Sequence, residues 1–370
     1  MNNTVAMYPF NAKMLPIVKY FHDLQSKYHL AKIISPPGFS LTGHDAAYSR
    51  NHPDVGFIVN DTIDEHDPDW RTLIIECAMN DATETNDFIE TNYDEIITRC
   101  LQAGKSVVQY NSDTKSSNRK LNQVHDKYPG MLHVKIPSLP EYPLKNVSSE
   151  KINSITTPVV FVGGLLAEAD TTEVVLALLK RLQKDNLSVM TISCHHILDI
   201  FGAYNIGGIL FNKEITEPKK ILTLNSLIRN LEHHTRPDVI LIEAPDAVIR
   251  YSNNAPNGMG IYSYMLCQAV QPDYFICCVP YQFATNKMIE KINDDLRVRL
   301  GASMFAIHVS NVQVDYDRIN TMNKISCVHN DRKSVLSMLS GYTANSSIPM
   351  FDIVHDGIDS LYRLLTKDII

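Results

Sequence analysis

This chain has no excess of basic residues. Its 34 Lys and Arg residues are outnumbered by 41 Asp and Glu residues, so the formal net charge is −7. Proteins that bind nucleic acids carry clustered positive charge that neutralises phosphates. The acidic balance therefore argues against nucleic acid as a partner.

Long hydrophobic runs are also missing. No apolar run in the sequence is long enough to span a bilayer. The opening residues MNNTVAMYPF lack the basic-then-apolar order of a signal peptide. We therefore expect a cytoplasmic protein that does not contact the membrane.

The seven cysteines lack the pairing that marks disulfide or zinc proteins. They are scattered, odd in number and without a C-x-x-C motif, so we expect reduced core residues and no metal site. Cys194 is followed by His195 and His196. Adjacent histidines point in different directions, which disfavours joint metal binding. A Cys194–His nucleophile pair is an open but unspecific alternative.

The remaining composition is that of a globular protein with two domains. Hydrophobic residues make up 44% and charged residues 20% of 370 residues, and a chain of this length exceeds one typical domain. Strand-like and helix-like runs alternate throughout, which predicts an α/β fold with mostly parallel sheets. We expect a Rossmann-like N-terminal domain over residues 1–145 and a P-loop-NTPase-like, doubly wound domain over 155–370. The aperiodic stretch Pro137–Pro158 is the expected linker.

Hydrophobic periodicity predicts the individual elements. The expected strands include Val55–Val59, Thr72–Glu76, Ser106–Tyr110, Val159–Val162, Ser188–Ser193 and Asp238–Glu243. The expected helices include Ala12–Lys27, Asn86–Ala103, Ser116–Lys127, Thr171–Asp185 and Asn286–Leu300.

The stretch TPVVFVGGLLAEADTT, residues 157–172, is the most informative motif. An apolar β-branched run ends in Gly163-Gly164 and is followed by a helical pattern, which is the layout of a phosphate-binding P-loop. The spacing fits G-x-x-x-x-G-K-[ST] if Gly164 is the first glycine. Ala169 then replaces the second glycine and Asp170 replaces the lysine, while Thr171 keeps the hydroxyl position and Thr172 follows it.

Asp170 places a negative charge where a P-loop carries its positively charged lysine. A carboxylate about 4 Å from a phosphate oxygen repels it by roughly 1–4 kcal/mol, depending on screening. Asp170 and Glu173 also match a capping box at the start of the following helix, and we interpret Asp170 primarily in that way. The pocket itself can survive and hold a ligand other than a triphosphate.

A second acidic motif follows a later strand. The run DVILIEAPD ends in Glu243 and is followed closely by Asp246. Open α/β sheets bind ligands at the carboxyl ends of their strands, so both acids are candidates to meet Mg²⁺ or its bound water. We expect Glu243 to lie near the helix start at Asp170–Thr172, where two acids would raise each other's proton affinity. Asp199, in HHILDIFGAYNIGG, is a further residue that can approach a phosphate, although we favour an ordinary connection between a helix and a strand there.

Two resemblances involve these motifs. VVFVGGLLAEADTTEVVLALLKRL together with DVILIEAPD resembles the nucleotide-binding core of dethiobiotin synthetase and the cobyrinic acid amide synthetases. Those enzymes carry a P-loop and a V-x-V-E-G motif, whose Glu matches Glu243. The next position is Ala244 here and the lysine position is Asp170, so ATP or GTP with Mg²⁺ is disfavoured as a cofactor.

A broader resemblance covers nearly the whole chain. The segments MYPFNAKMLPIVKY, SCHHILDIFGAY, RPDVILIEAPDAVIRYSN and LCQAVQPDYFICCVPY resemble a family of bacterial peptide-maturation-system proteins. Members are encoded beside peptide precursors and the radical S-adenosylmethionine enzymes that modify them. The resemblance implies a role in the maturation of a ribosomally made peptide, and it supplies no reaction.

Three functions follow as alternatives. The first is an accessory protein that binds the precursor peptide, the modifying enzyme or both, with oligomerisation left open. The second is an ATP- or GTP-dependent synthetase in which Glu243 and Thr171 hold Mg²⁺. The third is an enzyme that uses Asp170 and Glu243 to bind a cationic substrate. The expected ligand-binding residues are Gly163, Gly164, Asp170, Thr171, Thr172, Glu243 and Asp246.

Overall fold

The computed structural model describes residues 3–24, 27–76, 84–110, 127–135, 151–166, 168–250, 253, 259–322, 325–339 and 346–369. The chain forms two compact units. Unit 1 comprises Met1–Ser49, Asp54–Leu139 and His196–Gly202, and unit 2 comprises Arg50–Pro53, Pro140–His195 and Ala203–Ile370. The boundaries 1–145 and 155–370 stay a prediction, because residues 136–150 lie outside the described ranges.

Unit 1 is built on a six-stranded parallel sheet. Its strand order is β3-β2-β1-β4-β5-β6, which is the order of a Rossmann sheet. The strands are β1 (Thr4–Tyr8), β2 (His29–Ile34), β3 (Val59–Asn60), β4 (Thr72–Glu76), β5 (Ser106–Tyr110) and β6 (Leu132–Lys135). The α-helices described in this unit are α1 (Leu15–Tyr20) and α2 (Glu84–Gln102). The predicted α/β class is therefore confirmed for this unit.

The sequence predictions for unit 1 differ from the structure in three places. β1 was not predicted, although its residues are almost entirely buried in the sheet. The predicted helix Ala12–Lys27 consists of a 3₁₀ turn at Ala12–Met14 followed by the short α1. The predicted strand Val55–Val59 contributes only its last residue to β3. The predicted helix Ser116–Lys127 lies outside the described residues except for Lys127.

Unit 2 is built on a seven-stranded parallel sheet in the order β15-β12-β11-β7-β10-β8-β9. Its strands are β7 (Val159–Gly164), β8 (Val189–Ser193), β9 (Tyr204–Asn205), β10 (Val239–Glu243), β11 (Tyr274–Pro280), β12 (Met304–Ser310) and β15 (Met350–Phe351). β13 (Val312–Val314) and β14 (Cys327–His329) form a separate antiparallel pair. The central position of β7 puts its carboxyl end between those of β10 and β11, where such sheets bind ligands.

Helices connect most of these strands. They are α3 (Thr171–Lys184), α4 (Gly207–Leu210), α5 (Glu217–Thr235), α6 (Ile261–Ala269), α7 (Asn286–Leu300), α8 (Tyr316–Met322), α9 (Arg332–Leu339), α10 (Ile353–Asp356) and α11 (Asp359–Ile369). Every residue of β7 and β10 is buried, as expected of strands covered on both faces. Among the described residues, no helix combines the length and apolar character needed to cross a bilayer.

The described end of the predicted linker is attached to unit 2. Glu232 on α5 accepts hydrogen bonds from the backbone N–H groups of Thr156 and Thr157 at 2.7 and 2.8 Å. Asn225, fully buried on the same helix, accepts a hydrogen bond from the N–H of Asn153 at 2.8 Å. Residues 153–157 therefore belong to the packed structure and do not form an open connection.

Candidate functional site

The phosphate-loop motif forms a tight turn between β7 and α3. A Cβ atom on Gly164 would lie 2.5 Å from the carbonyl oxygen of Leu166 and 2.8 Å from Oγ1 of Thr171. Contacts this short do not occur for real Cβ atoms, so only glycine fits. Gly163 is different, because a Cβ there would meet Val248 Cγ1 at 2.5 Å, on the segment after β10. Gly164 is thus required for the conformation of the turn, and Gly163 lets the segment after β10 pack closely against β7.

Asp170 is the residue that precedes α3, and its backbone is left-handed, with φ 62° and ψ 24°. This conformation is uncommon for a residue other than glycine. The side chain makes no capping hydrogen bond to the helix. The predicted capping role is therefore wrong, because the carboxylate is turned away from the first helical turn and into a buried polar cluster.

The cluster surrounds both oxygens of that carboxylate, and all its members belong to unit 2. Nη1 of Arg50 lies 2.9 Å from Asp170 Oδ1, and Nε2 of His52 lies 3.7 Å from the same oxygen. Ser310 donates its hydroxyl hydrogen bond to Oδ2 at 2.5 Å. Nε2 of His308 lies 3.5 Å from Oδ2. Asp170 is therefore enclosed by one permanent cation, two imidazoles and a hydroxyl.

Hydrogen bonds identify the tautomer of His308. The backbone N–H of Ile353 donates to His308 Nδ1 at 3.2 Å. Because Nδ1 accepts this bond, the proton of the neutral ring is on Nε2, which then donates to Asp170. The His308 imidazole therefore stabilises the carboxylate through a hydrogen bond.

The segment that supplies Arg50 is held by residues near the end of the seven-stranded sheet. Asn311, directly after β12, donates a hydrogen bond to the backbone oxygen of Arg50 at 2.8 Å. Asn51 donates to the backbone oxygen of His329 at 2.6 Å. These bonds fix Arg50 beside Asp170, so the ion pair is part of the folded structure of unit 2.

The charge environment of Asp170 is opposite to the one expected from the sequence. Burial alone would raise its pKa, but the His308 hydrogen bond and the charges of His52 and Arg50 outweigh burial and hold the pKa well below its usual range. The prediction that Asp170 and Glu243 raise each other's proton affinity is therefore wrong. Asp170 is also occupied by its own partners, which removes it as the binding group for a cationic substrate.

Glu243 occupies the expected position. It is the last residue of β10, is fully buried, and accepts a hydrogen bond from Thr172 Oγ1 at 2.6 Å. Ser193, the last residue of the neighbouring β8, donates a very short hydrogen bond to the other carboxylate oxygen. The prediction that Glu243 lies beside the start of α3 is confirmed.

His195 completes the surroundings of Glu243. Its Nδ1 lies 3.3 Å from Glu243 Oε1 and 3.3 Å from Thr172 Oγ1, and 44% of its side chain is exposed. Burial would raise the pKa of Glu243, but the charge and hydrogen bond of His195 and the two hydroxyl donors lower it below its usual value. Glu243 is therefore an ionised, buried carboxylate at neutral pH.

The other predicted site residues have different surroundings. Thr171, the first residue of α3, is buried, and its hydroxyl interacts with the Cys278 thiol. Asp246 is half-buried beyond β10, and its Oδ1 accepts a hydrogen bond from the N–H of Ala247 at 2.7 Å. Asp199 belongs to unit 1, where it accepts a hydrogen bond from Tyr110 at 2.6 Å and pairs with Lys135. The partners of Asp199 described here therefore both belong to unit 1.

The residues present do not fit a magnesium nucleoside triphosphate. The lysine position carries a neutralised carboxylate, and Leu165 and Leu166, in the loop itself, are 3% and 0% exposed. Thr171 and Glu243, the proposed magnesium ligands, are committed to contacts within the protein. Across the described ranges, no three His, Cys, Asp or Glu side chains converge in a way that could hold a metal ion.

Cys194 does not have the properties of a nucleophile. It is 5% exposed, and burial together with the Glu243 charge raises its pKa well above that of an ordinary thiol. A thiol in these surroundings stays protonated and unreactive. The Cys194–His alternative is thus disfavoured.

Sequence reasoning missed Arg50, His52, His308 and Ser310. Arg50 is 120 positions from Asp170 and Ser310 is 140 positions away, so no local motif links them. The one available signal was the unexplained acid at a lysine position, because a buried carboxylate requires a cation from elsewhere in the chain.

Comparison with known proteins identifies a solved structure with a similar fold and does not identify a function. No protein family model and no curated protein matches this sequence. The structure is similar to the crystal structure of a DUF1611 family protein from Anabaena variabilis ATCC 29413, with 12% identity and a TM-score of 0.63 over 99% of this chain and 100% of that chain. At this identity the similarity shows a shared fold alone.

Two further solved structures are much less similar. The oxidoreductase-like protein YvaA from Bacillus subtilis has 16% identity and a TM-score of 0.27, covering 51% of this chain and 54% of that chain. APE1195 has 13% identity and a TM-score of 0.27, covering 59% of this chain and 100% of that chain. Neither similarity informs the function.

Proposed function

We propose that this protein is a cytoplasmic accessory protein in the maturation of a ribosomally made peptide. It binds the precursor peptide, the enzyme that modifies it, or both. The observation that carries this proposal is the Arg50–Asp170 pair, which neutralises the phosphate loop from within the protein. Because the charge in this loop is already balanced by a residue of the protein, the loop does not need a nucleotide to balance it.

The resemblance to the peptide-maturation-system family supplies the biological setting. The two α/β units supply sheet edges and loops that can carry a binding surface without any change in the core. We favour binding over nucleotide-driven chemistry because Thr171, Glu243 and Cys194 are all buried. Thr171 and Glu243 contact neighbouring groups of the protein, and burial keeps the Cys194 thiol protonated. The precursor peptide is the partner that we expect first.

The ATP- or GTP-dependent synthetase is the competing function. One observation favours it, namely the hydrogen bond between Glu243 and Thr172 at the start of α3, where a phosphate loop meets its acidic strand. The charge at Asp170 opposes it, since a triphosphate would have to replace or outcompete a buried ion pair. The same experiment can separate the two functions.

The test is reconstitution of a precursor peptide and a radical S-adenosylmethionine enzyme of the kind beside which members of that family are encoded. Product yield is measured with and without the protein, each in the presence and absence of ATP and GTP with Mg²⁺. We expect the protein to raise the yield and to co-elute with the peptide or the enzyme, independently of nucleotide. An unchanged yield with no complex would contradict the accessory role, and a strict nucleotide requirement would support the synthetase.

A further inference from the structure

Unit 1 contains a cavity of about 480 Å³ beside β6, a size within the range of roughly 300–1,000 Å³ found for small-molecule sites. Its polar lining residues are Lys27, Tyr28, His133 and Lys135, and apolar residues of β5 and β6 complete the wall. All of these residues belong to unit 1. Among the described residues, no Asp or Glu lines this cavity, although the whole chain has a formal net charge of −7. The cavity is therefore a locally basic site on an acidic protein.

The register of the sheet explains how two of the basic side chains reach the cavity. In the parallel pair of β5 and β6, Val108 is the partner of His133, and Tyr110 is the partner of Lys135. Paired residues lie on the same face of a sheet, and so do residues two positions apart. Leu132 lies on the opposite face, in a core cluster that includes residues of α2. His133 and Lys135 therefore project away from that core.

The ammonium group of Lys135 is held in place by neighbouring side chains. It forms a short ion pair with Asp199, and its Nζ lies 5.1 Å from the centroid of the Tyr110 ring. Tyr110 donates a hydrogen bond to the other carboxylate oxygen of Asp199 at 2.6 Å. Because an ammonium group has three N–H donors, the contact with Asp199 orients Lys135 without using all of them.

Lys27 reaches the cavity from the segment before β2. Its backbone oxygen accepts a hydrogen bond from Nδ2 of Asn3 at 3.4 Å. The backbone N–H of His29 donates to the backbone oxygen of Asn3 at 2.9 Å. These bonds attach the segment to the start of β1. The side chain of Lys27 is exposed, so its charge is accessible to a ligand.

The charges around the cavity favour a ligand with one negative charge. Asp199 balances Lys135, which leaves the positive charge of Lys27. Burial raises the pKa of Tyr28, and Asp199 raises it further, which together outweigh the opposite effect of Lys135. The phenol is therefore protonated at neutral pH and adds no negative charge. A carboxylate carries one negative charge, whereas a phosphate monoester carries about 1.5–2 at pH 7.

We propose that this cavity binds a small organic carboxylate whose apolar body lies against Val108. Lys27 and Lys135 bind the carboxylate group, and the imidazole of His133 provides a further N–H donor. An apolar wall with a few polar groups is the usual composition of a small-molecule site. This inference is independent of the accessory role, because it needs neither a precursor peptide nor a modifying enzyme.

The test titrates benzoate, benzamide and phenyl phosphate into the nitrogen-15-labelled full chain and follows the amide NMR signals of His133 and Lys135. Benzamide has nearly the shape of benzoate without its charge, and phenyl phosphate carries the alternative anionic group. We expect saturable shifts with benzoate at millimolar concentrations. Benzamide should bind at least about 5-fold more weakly, because it cannot form charge-assisted hydrogen bonds with the lysines.

The variant K27E reverses one charge at the cavity, and K127E is its matched control. Lys127 is also exposed and precedes a tyrosine, and its Nζ lies 5.5 Å from the centroid of the Tyr128 ring, against 5.2 Å for Lys27 and Tyr28. Lys127 is not among the residues that line the cavity. We expect K27E to weaken benzoate binding at least about 5-fold, and K127E to stay within about 2-fold of wild type because solvent screens its charge.

Three results would overturn the proposal. They are the absence of saturable shifts of the His133 and Lys135 signals with benzoate, equal affinities for benzamide and benzoate, and equal affinities of K27E and K127E for benzoate. Binding of phenyl phosphate at least about 10-fold more tightly than benzoate, a difference of about 1.4 kcal/mol, would identify a site for phosphate esters and contradict the carboxylate assignment.

Discussion

At the scale of single residues, the main feature of this protein is the acidic Asp170 at a position where a lysine is expected, together with the cation that neutralises it. Asp170 stands where a phosphate loop has lysine, and Arg50 brings a guanidinium to within 2.9 Å of it. The side chains are 0% and 7% exposed, so neither charge is screened by bulk water. Breaking such a pair by removing one partner is costly, because the other charge is left buried.

The strength of this pair can be measured with a double-mutant cycle. We expect Arg50→Gln to lower the free energy of unfolding by about 3–5 kcal/mol, since it leaves the Asp170 carboxylate without its permanent cation. Asp170→Asn combined with Arg50→Gln should cost less than the sum of the single changes, with a coupling of about 0.5–3 kcal/mol. Urea unfolding followed by circular dichroism measures each value.

The matched control is Arg297→Gln, which removes a pair with Asp294 whose side chains are 64% and 69% exposed. Such a surface change should stay within about 0.5 kcal/mol of wild type. If Arg50→Gln is no more damaging than this control, the buried pair does not hold the loop in the manner described.

The pH dependence of stability should reveal the same carboxylate. The folded pKa of Asp170 is below its usual range because of the His308 hydrogen bond and the His52 and Arg50 charges, which together outweigh burial. Its contribution is therefore complete above the unfolded pKa of about 3.9 and is lost as the pH falls through the folded value. We expect wild-type stability to fall more steeply below about pH 5 than that of Asp170→Asn. Parallel curves from urea unfolding between pH 7 and pH 3 would contradict this.

At the scale of elements, β7, its turn and α3 have the strand–turn–helix layout of a phosphate loop, with an acid at the position of its lysine. Gly164 still permits a turn that no side chain could enter, and Thr172 still contacts the acid at the end of β10. The left-handed backbone at Asp170 is a conformation that residues with a side chain rarely adopt. The ion pair and hydrogen bonds of the Asp170 side chain offset the conformational free-energy cost of that backbone.

Gly164→Ala tests the packing of this turn. The added Cβ would lie 2.5 Å from Leu166 O and 2.8 Å from Thr171 Oγ1, so the backbone has to shift. We expect a loss of about 1–3 kcal/mol in the free energy of unfolding, as for other overpacked sites. Gly207→Ala is the control, because its nearest neighbour would be the Asn205 side chain at 3.2 Å. Equal losses for the two variants, measured by thermal unfolding, would argue against a uniquely tight turn at Gly164.

Strongly periodic elements could be predicted from the sequence. Thr72–Glu76, Ser106–Tyr110 and Asn286–Leu300 have the predicted bounds. Each is an apolar strand or an amphipathic helix with a clear cap, so local residues determine it. Thr285 is an example, because its hydroxyl accepts the N–H of Met288 at 3.4 Å and begins α7.

The elements and contacts that were missed depend on distant residues. β1 has the ordinary sequence TVAMY and becomes a central strand only through pairing with β2 and β4. Asp170 fits a helix cap locally, but Arg50, His308 and Ser310 compete for its carboxylate in the folded chain. Sequence periodicity carries no information about such partners, whereas the order of strands at a sheet edge correctly predicts that Glu243 meets the start of α3.

At the scale of the whole molecule, two parallel-sheet units share one chain, and unit 2 carries the candidate site at the carboxyl ends of β7 and β10. Such folds support many functions, and the function is decided by the site. In this protein, the position that would bind phosphates is closed by an internal ion pair and by buried leucines. The central claim is therefore a prediction, namely that this loop does not bind a nucleoside triphosphate.

Calorimetric titration of the full chain with ATP and with GTP, each with Mg²⁺, tests this claim most directly. We predict no saturable heat of binding up to millimolar nucleotide and no change in the unfolding temperature. A ligand present at about 100 times its dissociation constant would stabilise the protein by about 2.7 kcal/mol, so binding would be readily detected. Saturable, magnesium-dependent binding with a micromolar dissociation constant would contradict the account and would make the synthetase the leading function.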